Sequence, residues 1–301
     1  MMIDVNDASD KEILNFVFEA DEEAFREGLA PKQRSLHVIA KVMKRLGYVG
    51  HTLAGAGTPP IGGKIAALHS SLYRKSDLEI GGVHGGIFMF RDVFARIHIP
   101  IMYGDAAIDP FTLTDLSETQ LKWLGSRAHD TQIFLDQFTD IFDFAGGVSN
   151  FGGFKIPPTN ALEIFWLAAL QLQAAAATLS VAFDTRGAIQ SALIGVELAL
   201  KGGLAAIGTD EKMRRKHGHN LASAANAFAS AKSGFDLSRV LGAIKSFPPY
   251  VDNRYSPEQP GRVETGHIVM KAQYIAGEVM RQITNFSIRA ATAQPSERLY
   301  P

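Results

Sequence analysis

Between residues 161 and 207, apolar side chains recur every three or four positions, and that period leaves this part of the chain one regular structure. Leu162, Phe165, Trp166, Ala169, Leu172, Ala176 and Leu179 form a first stripe, and Ile189, Leu193, Val196, Leu200, Leu204 and Ile207 a second. Such spacing puts each set on one face of an α-helix, which is stable in water once that face is covered. Two more helices are predicted from about Asn220 to Ala231 and from Val263 to Phe286, the last turning Ile268, Ala272, Ile275, Val279 and Ile283 inward. Four antiparallel helices with short connections make a bundle, expected over residues 155–290. The segment from Ala161 to Phe183 matches a membrane span in length. Glu163, Gln171 and Gln173 interrupt it and no basic cluster flanks it closely, so it reads as a buried helix with no membrane in play.

The first half has a different texture. Helices are predicted at about Asp10 to Glu27 and Pro31 to Leu46, followed by a Gly, Thr and Pro-rich loop from Gly50 to Gly63. Between Ile80 and Tyr103, β-branched and aromatic residues with paired glycines predict two or three strands, and Ser117 to Phe144 returns to helix. Gly146 to Gly153 and then Pro157-Pro158 are strong punctuation, so a boundary is expected near residue 150. The fold class is thus mainly α: an α+β region over 1–150, a helical bundle over 155–290 and a mobile tail over 291–301.

Charge and composition exclude several classes of function. Lys plus Arg number 30 and Asp plus Glu 31, so any attraction for polyanions must come from a local cluster. The chain has no cysteine, which removes disulfides, thiolate metal sites and cysteine nucleophiles and suits a reducing cytoplasm. The acidic start Met1-Met2-Ile3-Asp4 lacks the basic and apolar parts of a secretory signal, and a cytoplasmic location is expected. Gly55 to Lys64 imitates a phosphate loop, but Thr58 replaces its first glycine and Ile65 the magnesium-binding hydroxyl. Gly81 to Gly86 reads as turns between strands. The histidines are scattered: His69, His84 and His98 read as structural, and the four cationic residues ahead of His217 and His219 would repel a metal ion. Neither a metal nor a cofactor is expected.

One cationic segment remains, Lys212, Arg214, Arg215, Lys216, His217 and His219, preceded by Glu197 and Lys201 one helical turn apart. Arginine binds phosphate bidentately, and histidine can give or take a proton near neutral pH. RNA cleavage without a metal needs both roles. Each residue also has a plain reading. Glu197 and Lys201 suit an i,i+4 helix pair, Asn220 suits a helix N-cap, and the charge run suits a solvated turn.

Glu197-Leu198-Ala199-Leu200-Lys201, Gly218-His219-Asn220-Leu221 and Arg254-Tyr255 together resemble, in order and approximate spacing, the HEPN family (higher eukaryotes and prokaryotes nucleotide-binding). The resemblance covers the C-terminal half. It implies a small helical bundle that binds nucleotide or RNA and in some members cuts RNA. On it, Glu197, Lys201, Arg215, His217, Asn220, Arg254 and Tyr255 are expected to meet a ligand, and Arg214 and His219 to be the catalytic pair if one exists. Active members place a polar residue after the arginine and the pair before the last helix; here Arg215 follows Arg214, and the pair precedes an earlier helix. The expectation is therefore a non-catalytic module binding nucleotide, RNA or a protein, with a metal-independent endoribonuclease and a structural homodimer as alternatives. Symmetric pairing common in the family implies a homodimer, and its biology implies an antitoxin or nucleotidyltransferase partner.

Overall fold

A computed structural model of the chain describes residues 10–48, 60–78, 82–101, 107–149, 155–181, 185–249, 260–291 and 298–301. Within them the protein is mainly helical with one two-stranded sheet. It forms two compact units, Met1–Gly81 and Gly82–Pro301. The boundary expected near residue 150 falls inside the second unit.

The first unit contains α1 (Asp10–Arg26), α2 (Pro31–Arg45), α3 (Pro60–Ser70) and the short α4 (Lys75–Leu78). Pro31 opens α2 with its φ already helical, while the Gln33 side chain accepts the Ala30 N–H at 2.9 Å. Ile13 and Val17 of α1 meet Val38, Val42 and Met43 of α2 and Ile65 of α3 in a small core. Beside it lies a polar knot. Tyr73 donates to Asp21 at 2.5 Å, Arg34 donates to Tyr73 at 2.8 Å, and His69 Nε2 lies 3.1 Å from Asp21. Burial and the Asp21 carboxylate raise the Tyr73 phenol above its ordinary range. His69 is fully buried there, as a structural histidine should be.

The second unit opens with a hairpin of β1 (His84–Phe90) and β2 (Val93–Ile99), His84 opposite Ile99 and Phe90 opposite Val93. The two-residue turn needs a left-handed residue, and Arg91 supplies it at φ 60° with its guanidinium 4.2 Å from the Trp123 ring. After a 3-10 turn at Pro110–Leu113 come α5 (Glu118–Gly125), α6 (Ala128–Ser149), α7 (Thr159–Val181), α8 (Thr185–Ala206), α9 (Glu211–Lys216), α10 (Leu221–Ala231), α11 (Leu237–Lys245), α12 (Arg262–Thr284) and α13 (Ile288–Ala291). The helix expected over 117–144 is two: Ser117 caps α5, α5 ends at Gly125, and Thr131 Oγ1 in α6 returns a bond to the Leu124 carbonyl at 2.9 Å.

Long helices pack in series, α6 on α12, α12 on α8 and α8 on α7, while β1 lies against α6, α7 and α12. The buried Gln273 of α12 holds β1 in place, accepting the Ile87 N–H and donating to the Ile87 carbonyl, both at 2.8 Å. Gly277 permits a close helix approach, since a Cβ there would lie 2.6 Å from the Asp140 carbonyl oxygen of α6. The hairpin and α6, expected in a separate region, thus share one core with α7, α8 and α12. Of the tail expected to be mobile, residues 298–301 are described, and they meet α6. The Leu299 and Tyr300 amides donate to Asp136 at 2.8 and 3.1 Å, and Arg298 pairs with Asp140, because the buried carboxylates of α6 need donors.

Candidate functional site

The C-terminal half of α8 faces inward with Val196, Ala199, Leu200 and Leu204 and leaves Glu197 and Lys201 at the edge of the core. Asp210 then caps α9, accepting the Met213 N–H at 2.8 Å. Lys212, Arg214, Arg215 and Lys216 fall in this one short helix, whose cationic last turn complements its dipole. The chain reverses through His217, the helix C-cap, and Gly218, whose φ of 55° is a conformation side chains disfavour. Asn220 is the N-cap of α10, accepting the Ser223 N–H at 2.9 Å.

That reversal brings His219 back onto α8. Glu197 accepts from Lys201 Nζ at 2.6 Å through one oxygen, and its other oxygen lies 2.8 Å from His219 Nδ1. The carboxylate is 13% exposed and the imidazole 59%, so a mostly sheltered acid holds a ring that stands in water. With Nδ1–H donating to Glu197, the neutral ring carries its lone pair on Nε2, the form suited to accept a proton or a ligand N–H. His217 Nδ1 lies 2.8 Å from Ser223 Oγ.

The residues expected to meet a ligand therefore divide. Glu197, Lys201 and His219 meet in one cluster. Arg215 spends part of its charge on Glu211, one turn back on the same exposed face. Arg214 is half-buried, and its Nε has no hydrogen-bond partner among the described residues. Asn220 and His217 order the loop. Arg254 and Tyr255 lie outside the described residues. Among those residues no group of three potential ligands could hold a metal ion.

A second charged cluster went unread in the sequence. Asp136, Asp140 and Asp143 project from α6 at helical spacing, all fully buried. Arg281 of α12 donates to Asp140 at 3.1 Å and Asp143 at 3.0 Å and pairs with Glu278, while Arg289 pairs with Asp136 and Arg298 with Asp140. Burial pushes the Asp143 carboxyl up to about 6 against the pull of Arg281. Burial works against the Arg281 charge, yet its three carboxylates hold it firmly protonated. Next to Asp136 and Arg289 opens a cavity of about 510 Å³ walled by Leu135, Phe138, Phe142 and Ile288. The signal was present as three aspartates spaced i, i+4 and i+7 among the aromatic and aliphatic residues from Phe134 to Phe144, the pattern of carboxylates that face a core and must be paired.

Comparison of the chain with protein-family models, curated proteins and solved structures gives no match.

Proposed function

We propose that the corner formed by α8, α9 and α10 binds the phosphate of a nucleotide or a short RNA without turning it over. The observation that carries this reading is Glu197 gripping Lys201 and His219 together, next to a helix bearing Lys212, Arg214, Arg215 and Lys216. A cation already held in place, as Lys201 is, costs less to aim at an anion than a free side chain does. The resemblance of Glu197 to Lys201 and of Gly218 to Leu221 to the HEPN family supports the same ligand class. Fluorescence anisotropy with a labelled nucleotide and a labelled RNA oligonucleotide tests it. Saturable binding is expected that weakens with salt, by a log-log slope of about 0.7 per phosphate contacted in a single strand. Lys201→Ala and Arg214→Ala should both weaken it. Absence of binding to either probe at low salt would remove the proposal.

The bond between Glu197 and His219 also favours a second reading, metal-independent RNA cleavage. In that reaction a base takes the 2′-hydroxyl proton, the 2′-oxygen attacks phosphorus, and the 5′-oxygen leaves with a proton from an acid. His219 held by Glu197 fits the first role and Arg214 the clamp on the phosphate. RNA should then yield 2′,3′-cyclic phosphate ends in EDTA, and His219→Ala should slow cleavage by about 10² to 10⁴-fold. Intact RNA after prolonged incubation leaves the binding reading alone.

A further inference from the structure

Helix α7 has two apolar faces, and the fold uses one. Phe165, Ala168, Ala169, Leu172, Ala175, Ala176 and Leu179 are buried against the rest of the unit. On the other side Trp166, Leu167, Leu170 and Val181 stand 47%, 52%, 57% and 73% exposed, with Ala174 and Ala177 exposed between them. From Leu167 through Leu170, Ala174 and Ala177 to Val181 the intervals alternate between three and four residues, and Glu163 continues the series one step earlier. An alternation of that kind averages 3.5 residues, the seam of a helix that pairs with another helix.

We propose that this face pairs with the same face of a second copy, α7 running antiparallel to α7 about a two-fold axis at the level of residue 172. Side-chain size selects that arrangement. Antiparallel pairing centred there sets Leu170 opposite the other copy's Ala174 and Leu167 opposite its Ala177, so each of these leucines fills the space beside an alanine. Parallel pairing would stack leucine on leucine and leave gaps beside both alanines. Charge agrees at the rim. Glu163 of one copy arrives beside Val181 of the other, where Arg96 is anchored to Ser180 by a 2.8 Å hydrogen bond. The symmetry is isologous, so the contact closes on itself as a dimer and does not propagate.

Helix α7 is also long and apolar enough to cross a membrane, as is α8. Lipid would reward apolar area without regard to the order of leucine and alanine, and interfacial helices carry lysine or arginine beside the apolar face. None occurs between Lys155 and Arg186. A strip about 34 Å long and roughly 12 Å wide offers on the order of 400 Å² per copy. Both copies together bury on the order of 800 Å², below the roughly 1,200 Å² at which stable specific interfaces begin, so the dimer is weak, with a dissociation constant in the micromolar range or above. The inference rests on α7 alone and stands or falls separately from the ligand assigned to His219.

Sedimentation velocity on the whole chain from about 1 to about 200 µM tests it, with a monomer expected at the low end and a dimer at the high end. Leu170→Glu should weaken association at least about 100-fold, because a charge at the centre of an apolar seam is buried without a partner. Circular dichroism and Tm should not change, since Leu170 lies outside the core. Orientation is tested by cysteine, which the natural chain lacks. A mixture of Leu170→Cys and Ala174→Cys proteins should form the mixed disulfide in preference to either homodimer. A monomer at every concentration, a Leu170→Glu dimer as strong as wild type, or homotypic disulfides alone would overturn the proposal. So would co-sedimentation of wild type, but not of Leu170→Glu, with phosphatidylcholine vesicles in place of self-association.

Discussion

Two clusters in the second unit use one carboxylate to hold two basic side chains, and they differ in how far water reaches them. Asp140 of α6 takes Arg281 and Arg298; Glu197 of α8 takes Lys201 and His219. The Asp140 side chain is fully buried and both arginines are 8% exposed, so the attraction runs through a medium with little water to screen it. His219 stands more than half in solvent, where an ion pair adds little to stability. Charge arrangement alone therefore does not separate a buried structural cluster from one open to solvent and to a ligand. Solvent contact does.

The sharpest way to break this contrast is Arg281→Met. It strands Asp140, Asp143 and Glu278 without their shared cation, and removing one partner of a buried pair costs about 3 to 5 kcal/mol. Urea denaturation should show that loss, with Arg281→Lys recovering part of it, since an ammonium cannot span the same acceptors. A loss near zero would mean that water reaches the cluster and that it resembles the one at Glu197.

A smaller effect tests the dry side by pH. Burial lowers the His84 imidazole from 6.5 to about 4, where its Nδ1 meets Gln173 at 3.1 Å. The unfolded chain takes up its proton near 6.5 and the folded one does not, so stability is complete above that value and drains away as pH falls towards 4. The difference is worth about 3 kcal/mol. Comparing wild type with His84→Phe between pH 7 and pH 4 isolates it, because other groups titrate alike in both. A constant difference between the two proteins would show that His84 is hydrated.

Gly277→Ala should cost somewhat less, about 1 to 3 kcal/mol, because the new methyl meets the Asp140 backbone and pushes α12, with Arg281 on it, away from α6. Unchanged stability in thermal denaturation would mean that the cluster does not depend on this close approach. The position also shows why part of the fold was legible in sequence and part was not. The stripes of α7, α8 and α12 announced themselves because burial repeats with the helical period, and Asn220 was readable as a cap from its place before an apolar run. Gly277 and the partners of the α6 aspartates could not be read from their own segments, since their meaning depends on a residue more than a hundred positions away. The division at residue 81 was hidden for the same reason: Gly146 to Gly153 looked like a boundary, yet α6 before it and α7 after it share one core. At the site, Glu197, Lys201 and His219 were named together by resemblance, but only the Gly218 reversal explains how they meet.

The smallest expected change in stability comes from the wet cluster, and there the informative readout is ligand affinity. Glu197→Gln removes the charge that pairs with Lys201 and with the half-exposed His219 but keeps an amide oxygen to accept from them, so unfolding free energy should stay within about 1 kcal/mol of wild type. For affinity, two physical effects oppose each other. Deleting a negative charge beside Lys201 and His219 makes the corner more attractive to phosphate, whereas losing the charged acceptor releases both side chains from their fixed positions. If Glu197 serves to position them, RNA should bind about fivefold more weakly, the equivalent of one hydrogen bond of about 1 kcal/mol, and His219→Ala should add little in the Glu197→Gln background. If affinity rises instead, Glu197 is a counter-charge, the corner is an ordinary solvated patch, and the contrast with Asp140 reduces to exposure without function.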